Sequence, residues 1–171
     1  MRRRREVILS AGWGLALGGM FGCLVPWWLG YWQVRWSAEI ALWAAVLGMV
    51  LVGLGLVPIV GAFAAFVRAG GTPIPAASPP RLVITGWYRY VRNPIYVGFL
   101  IVLLGQALIF GSTGMLGYTA VAWGIGALAV RYYEQPRLAR RFGTAYAQYR
   151  NAVPAWIPRL HPWRPDRKNP V

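Results

Sequence analysis

Cysteine and histidine are nearly missing from these 171 residues; Cys23 and His161 stand alone. A disulfide within the chain needs two cysteines, and a structural zinc site draws four ligands mostly from Cys and His, so both are excluded. No metal site is expected. Acids are almost as scarce: Glu6, Glu39, Glu134 and Asp166 face 18 Lys and Arg, for a formal net charge of +14. Charged residues form 13% of the chain, against about a quarter in soluble domains. No P-loop or HExxH motif occurs, and Gly12-Trp13-Gly14, Gly53-Leu54-Gly55 and Gly124-Ile125-Gly126 are lone pairs that never continue into GxGxxG. A cofactor, if bound, is held by something other than a Rossmann domain. His161 reads as an exposed tail residue.

What the chain does have is apolar residues, 57% of the total, in long unbroken runs. That composition excludes disorder, a coiled coil and an ordinary soluble domain, and reads as a single integral membrane domain. No charge occurs from Val7 to Val34, and Ile8–Gly30 as a helix would measure about 34 Å, enough to span. A second uncharged run, Ile40–Val67, holds another span, with a kink expected from Gly53, Gly55 and Pro58. The third run, Asn93–Val130, would reach about 57 Å as one helix, nearly twice the hydrocarbon thickness. Gly111-Ser112-Thr113-Gly114 near its middle makes it a hairpin of two short helices. The fold expected is all-α and integral to the membrane, with about four transmembrane helices and a C-terminal amphipathic helix at the interface.

Orientation follows from the cations. Arg2–Arg5 precede the first span, Arg68, Arg81, Arg89 and Arg92 lie between the second and third, and nine more follow the fourth. Only Arg35 falls on the other side, so both termini and the long connection face the cytoplasm with 17 of 18 cations. Nucleic-acid binding does not fit this distribution, because the cations flank spans rather than lining one soluble face. A cleaved signal peptide is disfavoured, since the first run continues through Val25-Pro26-Trp27-Trp28-Leu29 without a small-residue cleavage pattern. Ser10, Gly14, Gly18 and Gly22 recur every four residues, a small-residue face for close helix packing within the bundle or in a dimer.

Polar residues concentrate from Gly70 to Arg159. Gly70–Pro80 is a Pro-rich extended loop, either a connector or a wall over a pocket. Pro94 is suited to the first position of the third span, and Arg92 and Asn93 before it, with free donors at a helix start, make either an anion site or a headgroup anchor. Glu134 is the sole acid between Glu39 and Asp166, and it falls at the membrane edge. An ionisable group there is a functional candidate; the alternative is an ion pair with Arg131, Arg137 or Arg89. Arg137–Val153 alternates Leu138, Phe142, Tyr146 and Tyr149 with Arg140, Arg141, Gln148 and Arg150, the pattern of an interfacial amphipathic helix.

In order, Gly86-x-Tyr88-Arg89-x-x-Arg92-Asn93-Pro94-x-Tyr96-x-Gly98, an acid after a helical hairpin (Glu134), Phe142-Gly143-x-x-Tyr146-x-x-Tyr149 and Val153-Pro154 form a combined pattern. It resembles the isoprenylcysteine carboxyl methyltransferase family, whose core phospholipid methyltransferases share. The resemblance covers about half the chain, from Gly70 to Arg159. It implies a small helical membrane enzyme that binds S-adenosylmethionine near the cytoplasmic surface. The cofactor-binding residues it implies are Tyr88, Arg89, Arg92, Asn93, Pro94, Tyr96, Gly98, Glu134, Tyr146 and Tyr149, with Glu134 and Arg92 the catalytic candidates. Residues 1–69 would then hold two spans, 70–159 the core with its cofactor pocket, and 160–171 a flexible tail. Asn93 stands where the best-known members have His, and Gln135 where many have a second Glu. Asn still hydrogen-bonds but does not titrate near neutral pH.

The methyl donor carries an ammonium, a carboxylate and a sulfonium, which suit an acid, a cation and aromatic faces. A carboxylate acceptor needs no general base, whereas an amine must first lose a proton, and Glu134 is the candidate to take it. A lipophilic small molecule or lipid is the acceptor expected, entering sideways from the bilayer. Two other classes stand beside this one: an NADPH-dependent membrane reductase of the sterol-reductase type, whose C-terminal core is similar, and a non-enzymatic lipid-binding membrane protein.

Overall fold

In lipid a backbone satisfies its polar groups within its own segment, and apolar runs of this length do so as helices. The computed structural model describes residues 12, 16, 18–30, 33–70 and 82–164, and every regular element among them is helical. Arg2–Arg5, Ser10, Gly14, most of the Pro-rich loop and residues 165–171 lie outside the described residues. Helix α1, Met20–Gly30, opens with a π-turn at Met20–Leu24. Helix α2 runs Ala38–Arg68, α3 Pro94–Phe110, α4 Thr113–Ala129 and α5 Gln135–Ala152. A 3-10 turn, Gly86–Arg89, precedes α3, and a π-turn, Val130–Glu134, joins α4 to α5.

The sequence implies four spans. Among the described residues two stretches, Ala38–Arg68 and Thr113–Ala152, are long and apolar enough to cross a membrane. The 17-residue α3 and the described part of α1 are shorter. The fourth span and the start of the amphipathic segment, read as separate elements, run on in helix through the π-turn, and the backbone of α5 then breaks at Gly143 (φ 52°, ψ −125°) before its last turns. Leu42, Trp43, Leu47, Leu54 and Val60 of α2 and Val121, Ile125 and Leu128 of α4 are all more than half exposed. That much contiguous apolar surface is far beyond what a soluble monomer presents, and it fits hydrocarbon as solvent.

Four glycines make the α2–α3 pair. A methyl group at Gly48 would sit 2.6 Å from the Gly105 carbonyl oxygen, and one at Gly55 would sit 2.6 Å from that of Gly98. The relation is reciprocal, since a Cβ at Gly105 would meet the Gly48 oxygen at 2.7 Å and one at Gly98 would meet that of Gly55. Seven residues separate the glycines on each helix, so the antiparallel backbones touch twice along one seam. Gly55, read from sequence as part of a kink, is a crossing point, and α2 continues as one helix through Pro58.

The hairpin turn falls where the sequence places it. Gly111 ends α3 with φ 61° and ψ 31°, a left-handed cap that glycine adopts without a Cβ penalty. The Ser112 hydroxyl then accepts from the Met115 backbone N–H at the start of α4. The Trp36 indole donates to the Leu108 carbonyl at 2.6 Å and closes this end of the bundle. Helix α1 is tied in through its π-turn: Gln106 Nε2 donates to the Gly22 carbonyl at 2.7 Å and the Tyr118 hydroxyl to that of Phe21 at 2.9 Å. Of the small-residue face, Gly22 is buried and would meet Phe99. Among the described residues nothing lies within 4 Å of a Cβ at Gly18.

Candidate functional site

The antiparallel hairpins bring the C-terminal end of α2, the start of α3 and the end of α4 together, opposite the Trp36 end. Most of the residues picked from the sequence pattern gather there, in two connected groups.

The first group is a clasp between the turn before α3 and the segment after α5. Arg92 donates from its backbone N–H to the Pro154 carbonyl at 2.9 Å, from Nε to that of Val153 at 2.9 Å, and from Nη1 to the Tyr146 hydroxyl at 3.2 Å. Asn93 Nδ2 donates to the Ala155 carbonyl at 3.0 Å, and the Tyr149 hydroxyl to that of Tyr88 at 2.7 Å. Arg89 and Trp163 bond in both directions, Nε to carbonyl at 2.8 Å and Trp163 N–H to the Arg89 carbonyl at 2.9 Å. Tyr146, Tyr149 and Val153 are buried with Ile84 in one cluster against which Leu138, Phe142 and Trp163 pack. Burial pushes the Tyr88 phenol far above its ordinary pKa, and Tyr149, Glu134 and Tyr96 push in the same direction, so it stays neutral.

The backbone N–H and Nε of Arg92 and the Asn93 side-chain amide are thus bonded to the carbonyls of Pro154, Val153 and Ala155. Within the stretch expected to be a flexible tail from residue 160, Trp163 is bonded to Arg89 and its ring lies 5.8 Å from that of Tyr149. His161, by contrast, is exposed.

The second group surrounds the acid. The Tyr96 hydroxyl, on the first turn of α3, donates to Glu134 Oε1 at 2.7 Å. The Tyr96 ring meets the Trp156 indole edge-on at 6.1 Å, and Trp123 meets Trp156 likewise at 6.4 Å. Gly126 lets α4 approach; a Cβ there would lie 3.2 Å from the Tyr96 ring. Trp123, Gly126 and Trp156 carry no sign of this in the sequence beyond an abundance of Trp. Pro94 is the buried first residue of α3, and Gly98 lies at the α2 crossing.

Asn93 joins the groups. Its amide fixes the Ala155 carbonyl, and the next residue is Trp156, packed on Tyr96. Asn93→Ala removes a buried donor and leaves that carbonyl without it, so a loss of about 1–2 kcal/mol is expected, read as a lower thermal midpoint in detergent. An unchanged midpoint would mean the clasp does not depend on this bond.

A carboxylate bonded to a tyrosine hydroxyl at one end of apolar helices defines a class, the helical membrane protein with a polar site at its surface. Comparison with known proteins narrows it: the model of the phospholipid methyltransferase family matches residues 43–145, and the chain belongs to that family. A protein-S-isoprenylcysteine O-methyltransferase of Schizosaccharomyces pombe is 40% identical over 78 residues, covering 45% of this chain and 33% of that protein. A methanethiol S-methyltransferase of Bradyrhizobium diazoefficiens is 32% identical over 108 residues, 62% of this chain and 39% of the relative. A delta(14)-sterol reductase of Mus musculus is 32% identical over 87 residues, 50% of this chain and 21% of the relative. The matches thus span well under half of these relatives' own length. No solved structure matches.

Proposed function

We propose that the protein transfers a methyl group from S-adenosylmethionine to a lipophilic acceptor at the cytoplasmic face of a membrane. The observation that carries this reading is the Glu134 carboxylate held by the Tyr96 hydroxyl at 2.7 Å, with Trp156 packed on the Tyr96 ring and Trp123 on Trp156. A carboxylate with aromatic faces suits a cationic ligand, because charge pairing and the ring quadrupoles both favour it over a neutral one. When bound, the cofactor supplies a methyl group activated by its sulfonium. Family membership and relatives named as O- and S-methyltransferases support the same reaction.

In this reading α1 to α4 are four spans and α5 lies in the interface, with both termini cytoplasmic. Glu134 binds the cationic part of the donor and takes the proton if the acceptor is an amine. Tyr96 fixes the carboxylate. Arg92, Asn93, Tyr146 and Tyr149 act by holding Val153–Trp156 as the wall of the pocket, with Tyr88, Arg89 and Pro94 bracing the turn beneath. Excluding water there favours a step in which the sulfonium loses its charge. The similarity to a sterol reductase keeps an NADPH-dependent reaction as the second reading.

Incubating detergent-purified protein with methyl-labelled S-adenosylmethionine and a total membrane lipid extract tests it. Label is expected in the organic phase, growing with time and absent without protein. A protein that binds the donor and transfers nothing to any lipid or small thiol would overturn the acceptor class.

A further inference from the structure

The half of α5 before Gly143 carries a cluster of arginines. Tyr133, Arg137, Arg140 and Arg141 follow one another at i, i+4, i+7 and i+8, which places them on one side of the helix. Half-buried Leu138 and Phe142 pack against the Tyr146–Tyr149 cluster, and the Arg141 guanidinium lies 5.1 Å from the centre of the Phe142 ring. Together with Tyr132 these residues line an open cleft of about 490 Å³, within the range of small-molecule sites. Arg137 Nη1 donates to the Tyr133 hydroxyl at 2.9 Å, and its guanidinium lies 5.9 Å from the centre of the same ring. A guanidinium and a phenol thus meet at the edge of the cleft.

The surroundings distinguish a lipid from a soluble anion. Val121, Ile125, Leu128 and Tyr132 recur at spacings of four, three and four along α4 and the π-turn, each between 58% and 71% exposed. This apolar stripe runs directly into the cleft. An anion that arrives alone leaves the stripe bare, whereas one that carries acyl chains fills both. Tyrosines at the junction sit as they do at membrane interfaces, and anionic headgroups attract clustered arginines there by about fivefold in affinity per charge.

We propose that the arginine cleft on α5 binds the phosphate of an anionic glycerophospholipid whose acyl chains lie along the Val121–Ile125–Leu128 stripe of α4. Arg137, Arg140 and Arg141 neutralise the phosphate and the Tyr133 hydroxyl donates to it. The lipid thereby pins the half of α5 that leads, past Gly143, into the Tyr146–Tyr149 clasp. The proposal rests on the membrane placement of α4 and α5 and not on methyl transfer.

Native mass spectrometry of the full-length protein in detergent, with equimolar phosphatidylglycerol and phosphatidylcholine, reads the preference as a ratio of bound lipids. A ratio of about ten or more in favour of phosphatidylglycerol is expected. It should fall to near one in Arg137→Gln/Arg140→Gln/Arg141→Gln and by about two- to fivefold in Arg140→Gln alone. Arg150→Gln, which removes the same charge beyond the break at Gly143, should keep the wild-type ratio. If the triple variant loses its helical circular dichroism, the two single variants carry the test. A wild-type ratio near one overturns the proposal, as does an equal fall in Arg140→Gln and Arg150→Gln, which signals diffuse surface charge. Displacement of phosphatidylglycerol by millimolar inorganic phosphate overturns the lipid in favour of a soluble anion. Donor binding measured on the same samples shows separately whether the methyl-transfer reading holds.

Discussion

Glu134→Gln is expected to weaken S-adenosylmethionine binding at least tenfold while leaving the fold intact. The two side chains have the same shape, and the Gln carbonyl still accepts the hydrogen bond that Tyr96 gives to Glu134 Oε1 at 2.7 Å. Packing on the Tyr96–Trp156 pair is thus preserved, and only the negative charge is lost. A hydrogen bond to a charged group is worth about 1.5–3 kcal/mol, and each 1.4 kcal/mol is tenfold in affinity, so a loss of about ten- to a hundredfold follows. Tyr96→Phe keeps the carboxylate and frees its orientation, so a smaller loss, of a few fold, is expected. Titration calorimetry on both variants checks the order. Wild-type affinity in Glu134→Gln would make this acid a structural partner of Tyr96 and nothing more.

Gly98→Ala and Gly55→Ala are expected to destabilise the protein, and Gly53→Ala to leave it as stable or more so. In a helix interior Ala is preferred to Gly by about 1 kcal/mol, so by propensity alone all three substitutions would help. Position decides otherwise. A Cβ at Gly55 would lie 2.6 Å from the Gly98 carbonyl oxygen and 2.9 Å from Val102, whereas one at Gly53 meets nothing within 4 Å. Backbone cannot yield as a flexible side chain does, so the helices must move apart. Overpacking of this kind costs about 1–3 kcal/mol, enough to outweigh the propensity gain. The double variant Gly55→Ala/Gly98→Ala should lose less than the sum, because one separation of α2 and α3 relieves both clashes. Thermal midpoints in detergent check all four proteins. A gain in Gly98→Ala equal to that in Gly53→Ala would remove the glycine seam from the account.

Gly98 also shows where reading a sequence stops. The resemblance assigns it to the cofactor, yet its partner is a backbone oxygen on a helix some forty residues earlier, and nothing in the local pattern names that partner. The same holds for the clasp. Arg92 and Asn93 stand out in the sequence, but their partners are the carbonyls of Val153, Pro154 and Ala155, and a carbonyl belongs to every residue alike. Trp156 follows from Asn93 only once the bond to Ala155 is seen, and Trp163 is hidden in a Pro-rich tail. What was legible is what local chemistry dictates: the Gly111–Ser112 turn, Pro94 at a helix start, the amphipathic α5. Glu134 was legible for a different reason, as an acid at a membrane edge in a chain with almost none. Its hydroxyl partner, 38 residues away across the hairpin, was not.

The central claim is that this end of the bundle holds a cationic methyl donor. Calorimetric titration of the detergent-purified protein with S-adenosylmethionine, S-adenosylhomocysteine and NADPH tests it most directly. Saturable binding of the first two at one site, weakened in Glu134→Gln and indifferent to NADPH, is the result expected. Binding of NADPH with no response to either adenosyl compound, in protein that keeps its helical signal, would contradict the claim and move the chemistry to reduction.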